Sequence, residues 1–159
     1  HLAARDAAET DFVAVVERFV GTPYLWGGKT SLGIDCSGLV QVALVACGMS
    51  CPRDSDMQQA ALGRPLNEAE ATRLQRGDLI FWSGHVAIVR DPETIVHANA
   101  HHMATAIEPI NAARERIAAA GVAGRGRESF VPGQLAAQRA GRETAQTDDG
   151  SDFFLRRAA

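Results

Sequence analysis

Between Gly77 and Pro109 the chain reads DLIFW (78–82), HVAIVR (85–90), TIVHAN (94–99) and MATAIEP (103–109). β-Branched and aromatic residues dominate the first three segments, and Ser83-Gly84 and Asp91-Pro92 separate them. Such residues suit a pleated, half-buried surface and such dipeptides reverse the chain, so the stretch predicts consecutive antiparallel strands. Residues 103–109 supply a fourth strand and ESFV (128–131) a closing one. What comes earlier has a different period. Phe12, Val15, Val16 and Phe19 are spaced as one face of a helix over 8–20, with Thr10 and Asp11 as its start signal. SGLVQVALVAC (37–47) is apolar all round, which marks a buried helix, with Asp35 placed to cap it and Gly48 to stop it. Two short helices over 54–62 and 67–74, split by Gly63 and Pro65, and one over 110–121 complete the pattern. Helices first and a strand meander after define an α+β fold: a buried helix packed on an antiparallel sheet of about five strands.

At 159 residues, with 46% apolar and 22% charged residues, the chain has the composition of one globular domain with its own core. That domain is read over 1–135, and 136–159 as a polar tail without assigned structure, although Phe153, Phe154 and Leu155 offer it something to dock with. A net charge of −3 without a basic cluster argues against a nucleic-acid partner. No run of about 18 apolar residues is present to span a membrane. No signal peptide is visible either, which favours the cytoplasm; a periplasmic or secreted location stays open because the chain starts at His1 and can be a fragment.

Cys36, in GIDCSGLV (33–40), follows the capping aspartate directly. Unpaired N–H groups and the helix dipole at that position favour a thiolate, the form of cysteine that attacks. Buried cysteines are also common core residues, so position alone does not decide between a reactive thiol and an inert one. A base is needed, and two histidines qualify. A hairpin centred on Asp91 sets His85 directly opposite His97 on one sheet face. His85 then suits the role of proton acceptor, and His97 that of the group that fixes its tautomer and orientation.

Taken together, GTPYLWGG (21–28), DCSGLV (35–40), CPRDSDMQ (51–58), RGDLIFW (76–82), HVAIV (85–89) and IVHAN (95–99) resemble, in order and spacing, the NlpC family of bacterial cell-wall cysteine peptidases. The resemblance runs from about Phe12 to Val131. It implies a papain-like core with Cys36 as nucleophile, His85 as base and His97 as third polar residue. It also implies that Tyr24, the only tyrosine, completes an oxyanion hole with the Cys36 N–H, and that Asp35, Ser37, Arg53 and Ser55 bind substrate, with Gln58 at the cleft border. The implied substrate is a peptidoglycan stem peptide or muropeptide, cut between D-γ-glutamate and a diamino acid without metal or cofactor. In the branch that resembles dipeptidyl peptidases, the aspartate before the cysteine binds the free amine of an N-terminal L-alanine; Asp35 can do this, or serve as helix cap alone. Family members often carry upstream wall-binding or Src-homology-3-like modules, and none is evident here.

Other readings compete at several positions. The same site suits an amidase or acyltransferase with another substrate. Cys36, His85 and His97 are chemically sensible zinc ligands, although no Cys-x-x-Cys pair supports them. A wall-binding relic of a peptidase is a third possibility. Cys47 and Cys51 are near enough in sequence for a disulfide, which nothing demands. Trp26 and Trp82 read most simply as packing residues, and His101 and His102 as a solvated loop pair close to His97.

Overall fold

Asp11 starts the first helix, α1 (Phe12–Glu17), by accepting hydrogen bonds from the N–H groups of Val13 and Ala14, which lack partners inside a helix. The helix is shorter than its apolar spacing predicts. Three-residue bonds from Arg18 to Val15 and from Phe19 to Val16 tighten its end, and Gly21 leaves it at a φ of 86°. The computed structural model describes residues 9–124, 145–146 and 152–157. A small hairpin of β1 (Lys29–Thr30) and β2 (Gly33–Ile34) leads into α2 (Cys36–Ala46), and then come α3 (Ser55–Ala61), β3 (Arg64–Pro65) and α4 (Glu68–Ala71). The meander expected from the sequence follows as β4 (Asp78–Trp82), β5 (His85–Val89), β6 (Thr94–Asn99) and β7 (Ala104–Pro109). After it come α5 (Ile110–Gly124), β8 (Ala145–Gln146) and β9 (Asp152–Arg157). The strand expected over 128–131 lies outside the described residues.

The main sheet has the order β3-β9-β4-β5-β6-β7, with β8 beside β9, and all its pairs are antiparallel. Strand alternation sorts its side chains onto two faces. Leu79, Phe81, Val86, Ile88, Val96 and Ala98 pack with Leu39, Val40, Ala43 and Leu44 of α2 and with α1. Ile80, Trp82, Ala87, Val89 and Ile95 pack with Ile110 and Ala113 of α5 on the other side. Both faces are covered, which is why these strands read as continuous apolar runs. Among the described residues no helix is long and apolar enough to cross a membrane.

The stretch read as a polar tail contributes a strand to the main sheet. Residues 152–157 form β9, inserted between β3 and β4, where Ile80 pairs with Leu155 and Phe81 with Phe154. Alternation accounts for it: Phe153 and Leu155 are buried against the α5 face, while Phe154 packs on the opposite one. Arg157 adds an ion pair at 3.0 Å to Asp78, itself buried, whose other oxygen accepts from Gln75 N–H. Replacing Leu155 with alanine should therefore cost ~2–4 kcal/mol, as for other buried leucines. A urea midpoint unchanged from the parent would show that β9 is dispensable.

Candidate active site

Asp35 does more than cap α2. Its Oδ1 accepts from the Gly38 N–H at 2.7 Å, its Oδ2 from the Gly27 N–H at 2.8 Å, and Arg53 grips both oxygens, at 3.0 and 2.6 Å. Burial raises its carboxyl pKa, but Arg53 and the two amides outweigh that and hold it below the usual value. Arg53 also donates to Ser37 Oγ at 2.8 Å. The close approach of the loop to the helix requires glycine twice. A Cβ on Gly38 would collide with the Gly28 carbonyl oxygen, and one on Gly28 with that of Gly33.

This carboxylate sets one wall of a cleft of about 360 Å³, lined by Tyr24, Trp26, Cys36, Ser37, Arg53 and Ser55 among others. Gly84, in the turn just before His85, also lines it. Tyr24 is fixed from two directions: its N–H donates to the Met103 carbonyl at 2.9 Å, and its backbone bridges Ile34. Burial first, then proximity to Cys36 and Asp35, raises its phenol pKa, so the hydroxyl keeps its proton for donation. The chain thus brings Tyr24, Asp35, Cys36, Ser37, Arg53 and Ser55 into one cleft. Gln58 is not at its border. It is fully buried and braces the wall from behind, donating to the carbonyls of Ser37 and Pro52, both at 2.9 Å. Trp26, expected to pack, is 83% exposed at the cleft mouth. Trp82 is buried, its ring centroid 5.8 Å from that of His85.

Cys36 opens α2 as expected, but its electrostatics differ from the helix-terminus argument. Its residue is only 8% exposed, and that burial raises the thiol pKa above the ordinary value, with Asp35 adding to the effect. The N–H groups of Val86, Ser37 and Cys36 itself oppose the rise without cancelling it. All three cysteines are free, so Cys47 and Cys51 form no disulfide.

His85 and His97 share a sheet face and touch, Nε2 to Nδ1 at 2.8 Å. They are diagonal neighbours, not the directly opposed pair that a hairpin centred on Asp91 requires. The ladder pairs Ile88 with Val96 and Val89 with Ile95, a register centred on Pro92. Asp91 shifts the turn by accepting from the N–H groups of Glu93 and Thr94. A ring spans the diagonal easily, so the contact survives the shifted register. His97 Nε2 in turn lies 2.6 Å from Glu108 Oε1, and Arg116 of α5 pairs with the same oxygen. Burial, reinforced by His97 and Arg116 and opposed by Glu108, pushes His85 down to about 3. His97 is also lowered to about 3, by burial and then by Arg116, His102 and His101. Both imidazoles are therefore neutral near pH 7.

Glu108 and Arg116 were not singled out in the sequence. The visible signal was a lone carboxylate inside a strand that is otherwise apolar or small. Among the described residues, the group whose possible ligand atoms gather within 4.8 Å is His97, His102 and Glu108, not the Cys36, His85 and His97 set. Two of those three are already joined to each other.

The model of the NlpC/P60 family matches residues 21–119, and the chain belongs to that family. It is similar to Dipeptidyl-peptidase 6 of Lysinibacillus sphaericus, with 38% identity over 99 residues that cover 62% of this chain and 35% of that protein. It is also similar to a gamma-D-glutamyl-L-lysine dipeptidyl-peptidase of Bacillus cereus, with 30% identity over 112 residues, or 65% of this chain and 32% of the relative. Among solved structures, the peptidoglycan hydrolase RipB from Mycobacterium tuberculosis aligns with a TM-score of 0.56 at 29% identity, covering 62% of this chain and 56% of that one. The chain spans about a third of the length of these two curated relatives.

The depressed histidines make stability depend on pH with a definite sign. Unfolded histidine takes up a proton near its ordinary value of 6.5, whereas the folded rings resist protonation until about 3. Between those limits the unfolded chain binds more protons, so stability falls as pH drops from about 7 towards 3, by a few kcal/mol per ring (~1.4 for each pKa unit). Denaturation midpoints of the parent and of His97→Gln, followed from pH 7.5 to 4, should converge in acid. Parallel curves would contradict the buried neutral state of His97.

Proposed function

We propose that the domain is a cysteine peptidase that hydrolyses the amide between D-γ-glutamate and a diamino acid, diaminopimelate or lysine, in peptidoglycan stem peptides, as part of wall turnover or muropeptide recycling. The observation that carries this reading is the placement of Cys36 at the amino end of α2, inside the cleft, with its sulfur against the N–H of Val86 and the His85–His97 pair beginning one residue away. The thiol and His85 rest as a neutral pair, so proton transfer to His85 accompanies attack of the sulfur on the γ-carbonyl. The resulting oxyanion meets the backbone N–H of Cys36 and the hydroxyl of Tyr24. His85 then protonates the leaving amine, and water releases the acyl group.

Substrate selection follows from the charges lining the cleft. A glutamate linked through its side chain keeps its α-carboxylate free, and the guanidinium of Arg53, beside the hydroxyls of Ser37 and Ser55, suits that anion. Asp35 is occupied by Arg53, Gly27 and Gly38, so an approaching N-terminal amine shares a carboxylate that is already held in place. The name of the Bacillus cereus relative, a gamma-D-glutamyl-L-lysine dipeptidyl-peptidase, supports a γ-D-glutamyl to diamino acid bond as the target.

Incubation with L-Ala-γ-D-Glu-diamino acid peptides should release the L-Ala-γ-D-Glu dipeptide, detected by mass. Cys36→Ala should abolish the release, and His85→Ala should slow it on the order of 10³-fold or more. Intact peptide with the parent protein, or cleavage surviving Cys36→Ala, would refute the reading. Arg53→Ala should raise KM roughly tenfold or more for the free α-carboxylate, from loss of a charged hydrogen bond, and less for the α-amidated peptide. Equal losses for both peptides would show that Arg53 acts only through Asp35.

A further inference from the structure

We propose that Glu108, anchored by Arg116, is a positioning residue that sets the proton on His97 and, through it, the proton on His85, leaving the His85 Nδ1 bare to take the proton of Cys36. The part concerning Cys36 rests on the peptidase reading above; the tautomer assignment does not.

The assignment follows from counting donors along the chain of contacts. A carboxylate has only acceptors, so the 2.6 Å contact with Glu108 places a hydrogen on His97 Nε2. A neutral imidazole carries one N–H, so His97 Nδ1 is bare and can only accept. The 2.8 Å contact then requires the donor to be His85 Nε2. That consumes the single N–H of His85, and its Nδ1 retains a lone pair. Depression of both rings to about 3 supports the neutral state on which the count depends. The opposite arrangement makes the same number of imidazole contacts: His97 Nδ1–H donating to His85 Nε2, with a hydrogen on His85 Nδ1. It would present a proton to the thiol where a base is needed. Glu108 separates the two arrangements, because the second would set a bare nitrogen against its oxygen.

Arg116 acts one step further out. Its guanidinium pairs with the Glu108 oxygen that accepts from His97, and the two residues come from α5 and β7. It fixes the carboxylate on the sheet face that carries α5. The other titratable groups around His97 are His101 and His102 in the loop after β6, with His102 held by Asn99 Oδ1 at 3.0 Å. Neither provides a carboxylate, so nothing in that loop duplicates Glu108. The same carboxylate also serves the step after attack, when His85 becomes an imidazolium and a negative group two contacts away stabilises it.

The test is nitrogen-15 NMR of the full chain labelled in its histidines, near pH 7, combined with steady-state kinetics. In the parent protein, His85 and His97 should each show a pyrrole-type Nε2 and a pyridine-type Nδ1. In Glu108→Ala and Arg116→Met, signals of the reversed tautomer should appear. kcat should fall on the order of 10²-fold in Glu108→Ala with KM within about twofold, because the group contacts no substrate. Glu108→Asp should restore most of both. A proton on His85 Nδ1 in the parent overturns the proposal even if every variant misfolds. So does a folded Glu108→Ala that keeps the parental tautomers. Correct tautomers in a protein that leaves stem peptides intact would defeat the peptidase reading and leave this one standing.

Discussion

The carboxylate of Asp35 is the point at which three pieces of chain around the cleft meet. It holds the amino end of α2, the loop at Gly27 and the segment bearing Arg53, each through a hydrogen bond of 3.0 Å or less. Remove the charge and Arg53 loses its ion-pair partner and two backbone N–H groups lose their acceptor, which leaves the bonds of Arg53 and Gln58 to Ser37 to hold that wall of the cleft. Burial makes the arrangement costly to break, because an unpaired guanidinium or amide there recovers little from water. Gly28 and Gly38 belong to the same constraint, since they allow the loop to come near enough for one carboxylate to reach both sides.

The second half of the site depends on the sheet. β5, β6 and β7 carry His85, His97 and Glu108, and antiparallel register spaces them at diagonal positions that rings and a carboxylate can bridge. Helix and sheet thus contribute opposite properties. The helix end supplies N–H donors around the sulfur, and the strands supply a line of side chains along which proton positions are defined. Burial disfavours charge on both the thiol and the rings, so all three groups rest neutral near pH 7.

Much of this was legible in the sequence, for reasons that can be named. The segments 78–82, 85–90 and 94–99 read as strands because two covered faces favour apolar residues at most positions. Asp35 announced a helix start because few residues accept from N–H groups there as well. The sequence points to Cys36, His85 and His97 as a group, but a count of residues centres the hairpin between the histidines one residue early, because the Asp91 side chain bonds forward to Glu93 and Thr94. The contact of Glu108 with His97 is not legible in the sequence because it exists only through the β6–β7 register, and the rise in the Cys36 pKa is not because burial is a property of the packed whole. β9 escaped because an apolar triplet among charged residues, far from the rest of the sheet in sequence, carries almost no period of its own.

That strand has a consequence for how the chain acquires its shape. β4 borders β5, three residues away, and β9, seventy residues away, so one of its edges is satisfied at once and the other only when residues 152–157 are available. Until then a row of unpaired N–H and C=O groups lies open along Asp78–Phe81, next to apolar side chains, the kind of edge that recruits foreign strands. The residues shared with the family model end at 119, short of this partner. A nascent chain leaving the ribosome thus holds every group of the cleft before it holds the strand that seals the sheet behind them, and the interval between the two is when it most needs protection from aggregation.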